Sequence, residues 1–510
     1  MSPRTALLLG VLLCGAGCSH RDAPGRSLWL LPADEPLEVT AATALRPELA
    51  ALSSGTLALA DRAGGPALGL GEVLSAVARS YPLLGQVELE RTLAEARRIA
   101  ALGAFDLTLR GQAGYQPNGF YENHSLDTWV EQRTGLWGAS LFGGYRLGIG
   151  DFDPTWDGKR VTNHGGEVRV GLRVPLLLDR EIDRPRRDLY QAEIGVELTA
   201  AQVEARRLEL FREAARAYWA WVTAGQRLGV AEELMRLAAL RQDQVAGRVR
   251  AGDLPALEGV DNERLVVRRR GLVAQARRAF EQAALALSLF LRDAEGRPVL
   301  AGPDRLPAGM PPSESPDPLG VERDVAQALA QHPGLRALEH EERRLLVERR
   351  YAESRSLPEL DLTVVASQDL DRDRPSATKG EFELAAGLEL WFPFQRRAAE
   401  GQRLEAVTRL EQLALRRAFL RDKTALEVRD AASALRAAHE RVEQGRRDVE
   451  LAAQLARAER RAFELGNTTV LVLNLREEAA AEARDRLLVA QEEYWRSVAA
   501  YEAAVGVLPR

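Results

Sequence analysis

Six histidines are the first place to look for metal or acid–base chemistry in this 510-residue chain: His20, His124, His164, His332, His340 and His439. They are scattered and share no metal-ligand spacing. No G-x-S-x-G, phosphate-binding loop, H-E-x-x-H or glycine-rich dinucleotide pattern is present. Arg and Glu are abundant at helical spacing, which describes solvated faces and ties between helices rather than a catalytic carboxylate pair. Both cysteines, Cys14 and Cys18, fall in the first eighteen residues, so the remainder has no internal disulfide. The formal charge is −5 and no basic run stands apart from acids, so nothing attracts nucleic acid. The chemistry-bearing residues point to no enzyme and no cofactor.

The N-terminus reads as an export signal. "MSPRTALLLGVLLCGAGCSH" has Arg4, the short apolar run Ala6–Leu13 and then small residues, too short an apolar run to span a bilayer as a helix. "GAGC" resembles a lipoprotein signal in which Cys18 carries the lipid, although Gly15 stands where such signals prefer Leu. No later segment offers eighteen uncharged apolar residues. An exported chain of this kind is periplasmic, secreted or inserted as a β-barrel.

The elements repeat. "SYPLL" at Pro82 pairs with "QHPGL" at Pro333, and "DLTLRG" at Asp106 pairs with "DLTVVA" at Asp361. "VGLRVPLLLDR" at Pro175 pairs with "AGLELWFPFQR" at Pro393, and "RVRAGDLPALEGV" pairs with "FELGNTTVLVLNL". Landmarks in one order predict an internal duplication. Pro175 to Gly252 is 77 residues and Pro393 to Gly466 is 73, a difference of about one helical turn. The expected organisation is a signal over 1–18, an extended segment over 19–68, a first repeat over 69–292, a linker over 293–320 and a second repeat over 321–510. The linker holds seven of the 24 prolines, each removing a helical hydrogen bond.

Each repeat reads helix, strand, loop, strand, long helix, turn, longer helix. The seam Leu451, Leu455, Ala458, Ala462, Leu465, Leu487, Tyr494, Val498, Tyr501, Val505 and Leu508 is heptad-like and predicts helices packed at shallow angles. Gly252–Asp253 and Gly466–Asn467 interrupt the helical pattern and are expected to be a stop and restart, a joint in a rod. The strand segments "DLTLRGQAGY", "GEVRVGLRVPLLL", "DLTVVASQDL" and "GEFELAAGLELWF" alternate polar and apolar over about ten residues, the pattern of a transmembrane barrel. Trp391, Phe392 and Phe394 would suit an interfacial aromatic belt.

With these residues in view, the chain resembles the outer membrane efflux protein family, the TolC-like outer membrane factors, over roughly 69–506. The pieces that carry the resemblance are "FELGNTTVLVLNLREEAAAEARDRLLVAQEEYWRSVAAYEAAVG" and the strand-to-helix junctions at Pro175 and Pro393. The resemblance implies a mainly α fold with a transmembrane β-barrel portion. It implies a homotrimer whose long antiparallel helices form a tube across the periplasm and whose strands, usually four per protomer, close one barrel in outer membrane lipid. The breaks at Gly252, Asp253, Gly466 and Asn467 would mark the tube's equator. It further implies a passive channel fed by a periplasmic adaptor and an inner membrane pump of RND or ABC type; the competing reading is a structural periplasmic coiled-coil lipoprotein without a channel. The first strand pair departs from the pattern: Asp106 to Pro175 is 69 residues against 32 from Asp361 to Pro393, so it carries 37 extra. These predict either added strands or an outer cap.

Helices must also reverse at the tip farthest from the strands. Gly225, Gln226, Arg227, Leu228 and Gly229 are the natural turn in the first copy, and His439, Glu440, Arg441, Val442 and Glu443, with Gln444 and Gly445, are the aligned counterpart. In the resemblance such turns meet the adaptor, which makes Gly225, Gln226, Arg227, Gly229, His439, Arg441 and Gly445 candidate docking residues. Glu440, Glu443 and Asp448 are candidates for an acidic ring where the channel closes.

Overall fold

The computed structural model describes residues 60–61, 66–153, 160–317, 319–371 and 382–508. Cys18, the export signal over 1–18 and most of 19–68 lie outside the described residues. The chain divides into two compact units. A sheet unit is built from Leu107–Pro175 and Asp361–Leu388; a helical unit takes Leu176–Leu360, Glu389–Arg510 and the described residues before Leu107, 60–61 and 66–106.

The helical unit contains α1 (Leu70–Ser80), α2 (Pro82–Leu102), α3 (Arg184–Arg250), α4 (Ala256–Ser288), α5 (Val321–Gln331), α6 (Pro333–Ser354), α7 (Arg397–Glu464) and α8 (Val470–Val505). Pro82 and Pro333 open α2 and α6, where the missing N–H costs no helical bond. Asp183 caps α3 by accepting from the Arg186 N–H at 2.9 Å. α3 and α7 run for 67 and 68 residues, about 100 Å each. The expected order, a long helix to a turn at 225–229 or 439–445 and then a longer one broken by Gly252 or Gly466, does not hold: the first helix runs unbroken to the glycine, and the second, α4 or α8, has only 33 or 36 residues.

α4 packs back along α3, and α8 along α7. The direction follows from the pairs. On α4, Asn262 reaches the Ala238 carbonyl, Arg269 the Leu234 carbonyl and Phe280 the Trp221 ring, so numbers rise on one helix as they fall on the other. On α8, Glu477 meets Arg460, Arg486 meets Asp448 and Glu493 meets Arg441. Both pairs are antiparallel hairpins.

The main core joins α1, α3, α4 and the proline-rich connection through Val73, Val77, Phe211, Trp221, Phe280, Leu287 and Val299. Trp221 is fully buried, and Trp219 stacks on Trp495 with ring centroids 5.0 Å apart. The Tyr218 hydroxyl donates to the Leu68 carbonyl at 2.8 Å, and burial pushes its pKa up to about 12. Smaller clusters hold α7 to α8 (Leu435, Val442, Tyr494) and α5 to α7 (Val325, Val428). The connection after α4 lies over α3 and α8: Gln226 donates to the Pro307 carbonyl at 2.6 Å, and the Glu314 N–H donates to the Tyr494 hydroxyl at 2.9 Å.

The sheet unit is one six-stranded sheet. Its strands are β1 (Thr108–Gln116), β2 (Asn123–Arg133), β3 (Ser140–Gly150), β4 (Glu167–Pro175), β5 (Glu359–Asp369) and β6 (Phe382–Trp391), in spatial order β1-β2-β3-β4-β5-β6. β1 through β5 pair antiparallel. The 37 extra residues thus supply two further strands, β2 and β3, and the four strands implied by the resemblance become six. Among the described residues no helix is long and apolar enough to cross a membrane, and no group of three or more His, Cys, Asp or Glu could hold a metal ion.

Candidate functional site: two helix reversals and an inverted sheet

The breaks at Gly252 and Gly466 are built alike. After α3, Gly252 takes φ +82°, its N–H donates to the Val249 carbonyl at 3.1 Å, and the Asp253 N–H donates to Arg248 at 2.9 Å. After α7, Gly466 takes φ +76°, its N–H donates to Phe463 at 3.0 Å, and the Asn467 N–H donates to Ala462 at 2.8 Å. Each is a Schellman cap, which satisfies the last carbonyls and needs a residue without a Cβ in the left-handed region. The chain then re-enters a helix through Pro255 or through Thr469, whose hydroxyl accepts from the Val472 N–H at 3.4 Å. Because α4 and α8 run back, these are hairpin ends and not joints in a rod, nor do they mark an equator. The Arg248 guanidinium lies 5.7 Å from the Phe463 ring centre, so the two ends sit side by side. Leu257, Val260, Leu465, Leu471 and Leu475 around them are 56–75% exposed, an apolar surface at the ends.

The stretches expected to be turns are helical. Gly225, Gln226, Arg227 and Gly229 lie within α3, and His439, Glu440, Arg441, Glu443, Gly445 and Asp448 within α7, each more than a turn from any helix end. Gly225 and Gly445 serve packing, whereas Gly229 has open space beside it. A Cβ on Gly225 would lie 2.5 Å from Leu306, and one on Gly445 would press on Leu487 at 3.2 Å. Arg227 pairs with Asp485 at 2.5 Å and Arg441 with Glu493, both ties to α8. His439 lies against Tyr494, 6.1 Å between ring centres. Among the acidic candidates, Glu443 pairs with Arg446 at 2.6 Å and Asp448 with Arg486 at 2.9 Å, and Glu440 is exposed along the helix. None of the three stands at a reversal.

A buried ionic node links the two hairpins, and the sequence reading missed it. Arg241 of α3 donates to both oxygens of Glu477 of α8, at 2.8 and 2.9 Å, and to Asn474 at 2.6 Å. Arg460 of α7 adds a further contact to Glu477 at 2.9 Å. Glu477 is only 4% exposed. Burial alone would raise the Glu477 carboxyl, but the Arg241 and Arg460 guanidiniums together outweigh it and hold it below its ordinary value. The available signal was a Glu on the stripe Val470, Leu473, Glu477, Ala481 that α8 turns inward. Close by, a groove of about 620 Å³ is lined by small α3 residues such as Ala220, Ala224 and Ala231, by Arg269 of α4 and by Glu482 of α8.

The sheet is inverted relative to a water-soluble one. Register places Leu109, Val130, Gly143, Val170 and Ala366 in one row, with Ala113, Leu126 and Leu147 in another on the same face. That face is mainly apolar and open: Leu109, Leu126, Val130, Leu141, Val168 and Val170 are all exposed, and the polar Thr128, Gln132 and Gln368 on it carry no charge. The opposite face carries Gln112, Asp127, Arg146, Glu167 and Asp369 in one row. There Arg146 pairs with Glu167 at 2.5 Å and Arg169 with Asp127, and Glu167 is buried. An apolar face turned outward and a polar face turned inward fit a wall between lipid and water.

The chain matches no protein-family model and no curated protein. Solved structures do match. The open-state MtrE outer membrane channel of Neisseria gonorrhoeae superposes with a TM-score of 0.59 at 18% identity, over 86% of this chain and 89% of that one. The outer membrane protein VceC of Vibrio cholerae gives 0.60 at 15% identity, over 86% and 97%. The CmeC outer membrane channel of Campylobacter jejuni gives 0.59 at 11% identity, over 89% and 90%. At these identities the likeness is one of fold, and it runs across nearly the whole of each chain: this protein has the fold of the outer membrane channels.

Proposed function

We propose that this chain is the outer membrane channel of a tripartite efflux or type I secretion system, a homotrimer that passively conducts substrates delivered by an inner membrane pump and a periplasmic adaptor. The observation that carries this reading is the inverted sheet, since an exposed apolar face backed by ion-paired polar residues suits a barrel wall and not a soluble cap. A structural coiled-coil lipoprotein has no use for such strands. The helical unit supplies the periplasmic conduit, and a lipid on Cys18 adds an anchor beside the barrel.

The adaptor meets the hairpin ends around Gly252–Asp253 and Gly466–Asn467, not the 225–229 and 439–445 stretches. Exposed apolar side chains at those ends form the surface a partner would cover. The test is extraction in detergent followed by native mass measurement and export assays in cells. A trimer that needs detergent, whose deletion abolishes export, is expected. A monodisperse monomer soluble without detergent overturns the reading.

A further inference from the structure

We propose that three copies join their sheets edge to edge into an eighteen-stranded barrel, whose water-filled lumen passes cargo that a twelve-stranded wall would exclude. This rests on the trimeric channel reading above and adds the width and chemistry of its mouth.

Three observations carry it. First, β2 and β3 stand at the same level as the other strands. The row Thr108, Glu131, Phe142, Gly171, Val365 crosses five strands one residue at a time, as does the row Gln112, Asp127, Arg146, Glu167, Asp369. A hairpin projecting as a cap would be displaced along its neighbours, and this one is not. With 11 residues each, β2 and β3 are as long as β5, the length a tilted strand needs to cross a bilayer.

Second, the extra strands keep the two-faced pattern in phase. Leu126, Val130, Leu141 and Leu147 continue the apolar face, while Ser125, Asp127, Glu131 and Arg146 continue the polar one. The ion pairs reach across the added strands: Arg169 of β4 pairs with Asp127 of β2, and Arg110 of β1 lies 3.9 Å from Glu131 of β2. A one-residue slip would have put these charges into lipid.

Third, both sheet edges are open and alike. Every residue of β1 and of β6 is exposed, over 9 and 10 residues. β6 alternates Phe382, Leu384, Ala386, Leu388 and Leu390 with Glu383, Ala385, Gly387 and Glu389, so it can continue both faces of β1 from a second copy. Unpaired edges in lipid are untenable, and closure removes them.

Three sheets of six give eighteen strands. With strands about 4.8 Å apart and tilted by about 40°, the wall measures roughly 36 Å across, against roughly 24 Å for twelve strands. A wall of that strand number leaves an aqueous channel. Its lining mixes Arg110, Arg146 and Arg169 with Asp127, Glu131 and Glu167, so selection there is by size rather than by sign of charge.

The test is cysteine labelling of the membrane-inserted full chain with a charged, water-soluble thiol reagent, scored against the parent chain. Ser125→Cys should label through the lumen, whereas Leu126→Cys and Leu147→Cys should lose labelling until detergent strips the lipid. Native mass measurement runs in parallel. A trimer in which Leu126→Cys and Leu147→Cys label as readily as Ser125→Cys overturns the eighteen-stranded wall and leaves the channel reading standing. A monomer in detergent overturns the channel reading beneath it. Deleting 117–150 gives a second measure: the four-stranded remnant, where it assembles, should admit only smaller polymers than the full chain. Equal size limits count against the proposal.

Discussion

Gly252 and Gly466 show what one residue decides. Both hold a positive φ with open space around the missing Cβ, so a substitution there tests the backbone alone. Gly252→Ala and Gly466→Ala should each destabilise the local reversal by about 1–2 kcal/mol, read as faster hydrogen exchange in the flanking turns. Gly229 also has open space, but inside a helix; Gly229→Ala should stabilise α3 by about 0.5–1 kcal/mol. The opposite signs distinguish a turn from a helix interior. The ionic node makes a second residue-scale prediction. The folded Glu477 carboxyl titrates below its ordinary value, so its contribution is full above the unfolded carboxylate range and is lost as pH falls through the folded value. Glu477→Gln should cost about 3 kcal/mol at neutral pH, since it leaves the buried Arg241 guanidinium without its counter-charge. The gap from the parent chain should close as pH falls below about 4 in thermal melts.

At the scale of elements, the partner surface proposed above lies at the ends of the two hairpins. Leu257→Glu combined with Leu465→Glu should abolish export while trimers still assemble and insert, because both side chains are exposed and far along the sequence from the sheet. Normal export, with crosslinking to the adaptor intact, removes the hairpin ends from the interface. The legibility of these elements was uneven. Strand alternation and the proline landmarks located β1, β4, β5, β6 and the starts of α2 and α6. "SLDTWVEQRTGLW" and "ASLFGGYRLGIGDF" also alternate, with Gly138 between them, but alternation alone fits a further wall hairpin and a folded outer loop equally, and only the register with β1 and β4 placed β2 and β3 in the sheet. Gly225 and Gly229 resembled a turn because glycine is read locally as a breaker, whereas Leu306 of the connection needs the space at Gly225.

For the whole molecule, the apolar surface is too extensive for an isolated chain in water. Leu404, Leu415, Phe419, Leu426, Leu451 and Leu455 are all exposed on α7. At 100° per residue they form one narrow stripe about 75 Å long. Such a stripe is expected to be covered by another copy. Leu415→Lys with Phe419→Lys should therefore weaken the proposed trimer, seen as dissociation at a higher protein concentration or milder detergent than the parent chain needs, while the helical fold of each copy persists. Three members of the predicted seam, Leu451, Leu455 and Leu465, face outward in this way, while Tyr494 and Val505 are buried within the chain.

The sequence by itself determined the glycine stops at 252 and 466, the helix starts at Pro82 and Pro333, and the apolar face of β1, β4, β5 and β6, because propensity, capping and period are properties of near neighbours; the turns it placed at 225–229 and 439–445 are helix interior. It could not determine direction. A helix that stops at glycine and continues, and one that stops and folds back, leave the same heptad seam on either side of the break. Only the packing of α4 on α3 and α8 on α7 chose reversal. The tertiary structure also decided the strand count and the burial of Glu477, since both depend on residues brought together from far along the chain, Asp127 to Arg169 and Arg241 to Glu477, which no local pattern pairs.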